Sequence, residues 1–205
     1  MKFYYAPGSC SFASHVALLE TGAPFEAIRV VLANGDQRKP EYLAINPHGR
    51  VPALVTETGA ITESIAILTY LARRFPEAGL LPWDRPAELA RAYELMSWFA
   101  STVQVSFSQV FRGGRFSDDA QTLIELKAAG KPRVAEALAE MEDAAPVSGW
   151  LLGDEFSVAD AYATVFWRWA PRLELDVSVY PKWGAHAARV LARASAVRAL
   201  ATETE

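Results

Sequence analysis

The sequence predicts a mixed α/β domain followed by an all-helical one, and three observations predict it. Short β-rich and helical segments alternate over residues 1–75, Pro76, Gly79, Pro82 and Pro86 punctuate the stretch that follows, and strand signals vanish from residue 87 onward. The chain has 205 residues, enough for two small domains that each bury a core. The expected boundaries are 1–78 and 87–205.

Residues 2–5 are short and aromatic and end at Ala6-Pro7-Gly8-Ser9, which reads as a strand running into a loop. Phe12, Val16 and Leu19 then recur at helical spacing until Gly22. Over residues 25–32 Ile28, Val30 and Leu32 alternate as in a strand with one buried face, Asn34-Gly35-Asp36 breaks the chain, and residues 40–45 suit a single helical turn. Residues 51–56 and 60–62 lie close enough to form a hairpin across Glu57-Thr58-Gly59. Glu63 and Ser64 open a helix whose Ile65, Leu68 and Phe75 share a face, with Pro76 as its stop. The order is βαβ, then ββα. Beyond the linker, helices are expected over 87–111, over 118–144 with a kink at Gly130 and Pro132, over 158–169, and from 182 on. Ser157 and Asp160 have the spacing of a capping box.

Composition excludes several classes of function. A hydrophobic share of 51% with 21% charged residues belongs to a globular chain rather than a disordered one. Lys plus Arg is 20 against 24 for Asp plus Glu, a net charge of −4 with no basic run, which disfavours a nucleic-acid partner. The opening residues break into Pro7-Gly8 too early for a secretory signal, and the longest charge-free stretch, 95–111, carries too many polar groups to span a membrane. One cysteine, Cys10, excludes an internal disulfide and a zinc site built on several thiolates. No metal and no membrane partner are expected, and the cytoplasm is the expected compartment.

Cys10 is the first candidate for chemistry. A strand-loop-helix turn delivers it to the first turn of a helix, where unpaired amides and the positive end of the macrodipole favour a thiolate, its own or a ligand's. The alternative is a small buried apolar residue. Ser11, Phe12 and Ala13 follow it, so any dithiol exchange must borrow an external thiol. Val51-Pro52 opens a strand. A cis bond there leaves the Val51 N–H and C=O able to pair with an extended peptide-like ligand, whereas a plain strand-start proline needs no ligand. Glu63-Ser64 offers a carboxylate receptor at a helix N-terminus, or simple capping. Arg112-Gly113-Gly114-Arg115 suits an anionic substrate, or a solvated loop. His15, His48 and His186 read as structural.

Four strings in order, Tyr4-Tyr5-Ala6-Pro7-Gly8-Ser9-Cys10-Ser11, Asn46-Pro47-His48-Gly49-Arg50-Val51-Pro52-Ala53-Leu54, Ile61-Thr62-Glu63-Ser64-Ile65-Ala66-Ile67 and Leu151-Leu152-Gly153-Asp154-Glu155-Phe156-Ser157-Val158-Ala159-Asp160, resemble the successive motifs of cytosolic glutathione transferases, most of all the bacterial beta class. The resemblance covers essentially the whole chain. It implies a thioredoxin-like N-terminal domain, an all-helical C-terminal domain, a homodimer, and glutathione as co-substrate with a small hydrophobic electrophile. By the same resemblance Cys10 lies next to the glutathione sulfur and Gln104 assists it. Ser9, Ser11, Leu32, Val51, Pro52, Glu63, Ser64 and Ser101 are implied to hold glutathione, and Tyr5, Phe107, Phe111, Arg112 and Trp169 to line the electrophile side. Two departures stand out. Gln104 occupies the position where the beta class usually has a histidine, and the lysine often found after the second strand is replaced by Asn34-Gly35-Asp36. Less cationic help at the sulfur is therefore expected. Three activities are compatible with this resemblance: conjugation, thiol exchange through Cys10, and isomerisation or dehalogenation. A binding module or ligand carrier with little catalysis is the rival, kept open by the missing histidine.

Overall fold

The computed structural model describes residues 1–204. Strand β1 (Lys2–Tyr5) leads to α1 (Ser11–Glu20), β2 (Glu26–Arg29), a one-turn helix α2 (Pro40–Leu43), the hairpin β3 (Ala53–Thr56) and β4 (Gly59–Thr62), and α3 (Ser64–Arg74). The sheet order is β2-β1-β3-β4, with β1 parallel to β2 and the other pairs antiparallel. The helical part comprises α4 (Pro86–Trp98), α5 (Gln104–Phe111), α6 (Ala120–Ala144), α7 (Val158–Trp169), α8 (Pro181–Leu191) and α9 (Ala194–Thr204).

Several expectations are corrected. The second strand stops at Arg29 rather than at 32, because the Asp36 carboxylate takes the Val31 N–H at 3.0 Å and turns the chain, leaving Leu32 in a 3₁₀ turn. The third begins at Ala53, after Pro52, which has no N–H to donate. The buried face of α3 is Ile67, Leu68 and Leu71, not Ile65, Leu68 and Phe75. Helix α1 is buried over all of residues 11–18, since it packs against α3 of its own domain and also against α7 and α9. Its apolar residues therefore mark only part of its buried surface.

In the helical part, the expected single helix over 87–111 is interrupted by a π-helical segment, Phe99–Val103, that re-phases the chain just before Gln104. Helix α6 runs unbroken through Pro132, so the expected kink does not terminate it. Gly130 serves packing: a Cβ there would lie 2.7 Å from Val110 Cγ2 on α5. Asp119 caps α6 by accepting the Thr122 N–H at 2.8 Å. The capping box at α7 forms as read. The Asp160 carboxylate reaches back to the Ser157 N–H at 2.8 Å and accepts its hydroxyl at 2.7 Å. Among the described residues no helix is long and apolar enough to cross a membrane.

The two parts are joined where the cleft will lie. The Gly8 N–H donates to Glu203 at 3.2 Å, and the Trp169 indole N–H donates to the Gly8 carbonyl at 2.9 Å. Glu203 also pairs with Arg168, whose guanidinium sits 4.3 Å over the Phe12 ring. Arg193 grips Glu20 through two 2.8 Å bonds. The loop that presents Cys10 is thus held from α7 and α9 as well as from its own domain.

Candidate active site

Cys10 caps the N-terminus of α1, as its place after a strand and a Pro-Gly loop predicts. Two cavities meet at its side chain, of about 430 and 540 Å³, and they share Arg50, Val51, Gln104, Ser108 and Arg115 as well. The larger adds Pro52, Glu63 and Ser64; the smaller adds Ser9, Leu32, Phe107, Phe111, Arg112 and Trp169. Polar backbone and the α3 N-terminus therefore lie on one side of the sulfur and three aromatic rings on the other.

The polar side offers unpaired backbone. The Val51-Pro52 bond is cis. The Val51 N–H meets no acceptor among the described residues, and its carbonyl takes only the Cys10 thiol, at 3.5 Å. Arg50's carbonyl, by contrast, is held by Tyr42 and Asn46 at 2.6 Å each, which fixes the backbone immediately before this edge. Glu63 holds φ = 69° in the left-handed region, a strained setting for a residue with a side chain, at the turn that starts α3. On the apolar side Phe107 stacks on Phe111 and meets Trp169 edge-on, at centroid distances of 6.1 and 5.5 Å.

The electrostatics of Cys10 differ from the expectation. Burial pushes its thiol up, and the Glu63 carboxylate adds to that; the Ser64 hydroxyl and then Arg112 pull it down without prevailing. A helix N-terminus alone does not make this sulfur a thiolate. The cationic help that the missing histidine and lysine had led us to discount comes instead from Arg112. Gln104 accepts the Tyr162 hydroxyl on Oε1 at 2.9 Å, so what it offers the cavities is its Nε2 donors. Tyr162 is buried, which raises its phenol and keeps it a donor.

The residues 1–73 match the family model described as glutathione S-transferase, N-terminal domain, and residues 110–194 match that of the C-terminal domain. The chain belongs to the glutathione S-transferase family. It is 32% identical over 209 residues to glutathione S-transferase GstA of Escherichia coli O157:H7, covering 99% of this chain and 98% of the relative. Among solved structures it is similar to a glutathione transferase homologue from Sulfitobacter with bound glutathione, at 34% identity and TM-score 0.93, covering 98% of this chain and 97% of the other. The beta-class glutathione S-transferase of Sphingomonas chungbukensis is 36% identical with TM-score 0.87, covering 99% and 98% of the two chains.

Most of the expected residues converge in this transferase cleft, and three do not. Tyr5 is buried against Phe3 and His15, and its hydroxyl donates to the Thr202 carbonyl at 3.0 Å, because β1 lies in the middle of the sheet and turns this side chain into the core. Ser11 is buried too, its hydroxyl shared between Ser9 Oγ at 2.7 Å and the Ala6 carbonyl at 3.1 Å. Ser101 is exposed on the π-helical segment and lines neither cavity. Ser9 reaches the cleft, but its hydroxyl is engaged with Ser11. Sequence reading missed Arg50, Arg172 and Tyr162. These reach the cleft from before β3, after α7 and within α7, a convergence that no local pattern announces. The histidines lie outside both cavities: His15 is among Phe3, Tyr5 and Phe25, His186 pairs with Asp160, and the His48 N–H donates to Asn46 Oδ1 at 3.0 Å in an exposed turn.

Proposed function

We propose that this chain binds glutathione in the polar cavity, along Val51-Pro52 with Glu63 and Ser64 at the γ-glutamyl end, and presents its thiol beside Cys10 to a small electrophile lodged against Phe107, Phe111 and Trp169. The observation that carries this reading is the position of Cys10 at the shared wall of the two cavities, one with unpaired backbone and one aromatic. In conjugation the glutathione sulfur forms a bond to the electrophilic carbon, the leaving group departs with its electron pair, and the thiol proton passes to solvent. Nε2 of Gln104 and Arg112 support the sulfur's negative charge. In thiol exchange the Cys10 thiolate attacks oxidised glutathione, forming a mixed disulfide and releasing one glutathione thiolate. Burial, which pushes the Cys10 thiol up, leaves less of it as the attacking thiolate near neutral pH and so slows the exchange step.

The same reading includes a cytoplasmic enzyme and a two-fold dimer. In support of the dimer, Val105 and Phe116 stand 38% and 49% exposed at the rim of the larger cavity, where a second copy would cover them. A concentration-independent monomer on sedimentation would remove that part. The central experiment combines retention on immobilised glutathione with turnover of a neutral nitroaryl chloride. Binding with turnover is expected; binding with none across several electrophiles would make the chain a glutathione-binding module.

A further inference from the structure

The aromatic cavity is more positive than anything in the composition suggests. Arg50, Arg112, Arg115 and Arg172 all line it and no Asp or Glu does, in a chain whose net charge is −4. Four arginines elsewhere meet carboxylates, Arg85 with Glu88 and Glu155, Arg91 with Glu94, Arg168 with Glu203 and Arg193 with Glu20, whereas the cavity gathers four with no acidic side chain among them. Among the described residues, none of the four cavity guanidiniums makes an ion pair or a hydrogen bond; Arg172 has only the Phe111 ring, at 4.9 Å. Loss of water lowers the proton affinity of Arg115, and the charges of Arg112, Arg50 and Arg38 lower it further, so these cations repel one another across the cleft. All four residues are exposed to solvent, and like charges gathered at the mouth of one concave site concentrate anions from solution.

Glutathione's own carboxylates do not account for all four. Arg50 and Arg115 line both cavities and lie within reach of glutathione, whereas Arg112 and Arg172 border only the aromatic one. We propose that the electrophile taken by this cleft is an anion, a flat unsaturated or aromatic body against Phe107, Phe111 and Trp169 bearing a carboxylate or sulfonate that Arg112 and Arg172 receive. Planar guanidiniums on different elements, one after α5 and one after α7, suit the two oxygens of such a group. The inference rests on the function proposed above only for the identity of the nucleophile.

The test compares two nearly isosteric aryl chlorides, 4-chloro-3-nitrobenzoate and 4-chloro-3-nitrobenzamide, as co-substrates with glutathione. In both, a C–S bond replaces the C–Cl bond and chloride leaves. With each kcat/KM divided by the compound's uncatalysed rate with glutathione, which corrects for the stronger electron withdrawal of the amide, the benzoate is expected to be preferred by about tenfold or more, the size of one charge-assisted contact. Arg172→Met, which keeps an apolar stem over Phe111, should lower that preference about tenfold, Arg172→Lys should retain part of it, and Arg112→Met with Arg172→Met should abolish it. Added salt at roughly 0.5 M should also shrink the preference. A second readout needs no turnover: calorimetric binding of unreactive 4-nitrobenzoate against 4-nitrobenzamide, in the presence of glutathione, should show the same ratios. No preference for the anion in wild type overturns the proposal, and so does an equal effect of Arg172→Met and Arg172→Lys. Selective binding of the benzoate without any conjugation would sink the proposed enzymatic function while leaving this inference standing.

Discussion

Two polar clusters in this molecule, around Asp160 and around Cys10, are built from similar groups and satisfied in opposite ways. The Asp160 carboxylate is fully buried and every bond it makes ends inside the fold: Oδ1 takes the Leu151 N–H at 2.8 Å and faces His186 Nε2 at 2.7 Å, and Oδ2 takes the N–H and hydroxyl of Ser157. One side chain thereby ties the loop before α7, the α7 N-terminus and α8. At the Cys10 cleft the Val51 N–H has no acceptor and four guanidiniums have no carboxylate. A buried polar group whose partners are internal belongs to the fold; a group at a cavity wall that makes no internal bond is left to water and is free to exchange it for a ligand. The comparison predicts that substitutions around Asp160 cost stability and that those around Cys10 cost function.

The largest effect belongs to Asp160→Ala. Removing the carboxylate strands the Leu151 and Ser157 amides and a buried histidine, and losses of about 3–5 kcal/mol are typical when one partner of such a cluster goes. Urea unfolding should show a midpoint far below wild type, with Asp160→Asn intermediate because it keeps an acceptor. A loss under about 1 kcal/mol would mean that the cluster does not hold the helical domain.

His15 sharpens the contrast because it is buried without being paired. It lies among Phe3, Tyr5 and Phe25, its Nδ1 has no partner, and burial together with the charge of Arg198 lowers its pKa to about 4. The unfolded chain, with an ordinary histidine near 6.5, binds more protons than the folded one between those two values, so stability from this group is full above about pH 6.5 and falls as pH drops toward 4. Over that window the loss is about 3 kcal/mol. His15→Phe should flatten the dependence of unfolding free energy on pH there; an unchanged slope would assign the acid sensitivity to other groups.

The Asp160 cluster was largely legible in the sequence and the Cys10 cleft only in part, for a physical reason. Ser157 and Asp160 are three residues apart, so their capping box is a local pattern, as are the strand-loop-helix around Cys10 and the Val51-Pro52 strand start. Burial of α1 on two sides depends on α7 and α9 packing across it, and no periodicity within residues 11–20 encodes that. Likewise the repelling arginines come from three separate segments. The π-helical segment just before Gln104 has no compositional mark, and the packing role of Gly130 rests on a contact with Val110 between helices.

The smallest effects on stability, and the most direct test of the comparison, come from Cys10 and Gln104. The Cys10 thiol donates only a long bond, to the Val51 carbonyl at 3.5 Å, and the side chain is small and only partly buried, so Cys10→Ala should change stability by no more than about 1 kcal/mol. Gln104→Ala removes the acceptor of the buried Tyr162 hydroxyl and should cost about 1–2 kcal/mol. For function the order reverses. Cys10→Ala should abolish a glutathione adduct on the protein after exposure to oxidised glutathione, read by intact mass, and with it any disulfide exchange. Part of the conjugation should remain, since in the proposed binding mode Gln104 and Arg112 still support the glutathione sulfur. Gln104→Ala should leave the adduct and lower conjugation modestly, while Gln104→His, by adding a group able to accept a proton, should raise it. The crossing of the two orders is what distinguishes a site from a core. If the wild-type protein forms no adduct and Cys10→Ala leaves exchange unchanged, Cys10 is a packing residue, and only the backbone of Val51 and the arginines remain to mark this cleft as a place where something binds.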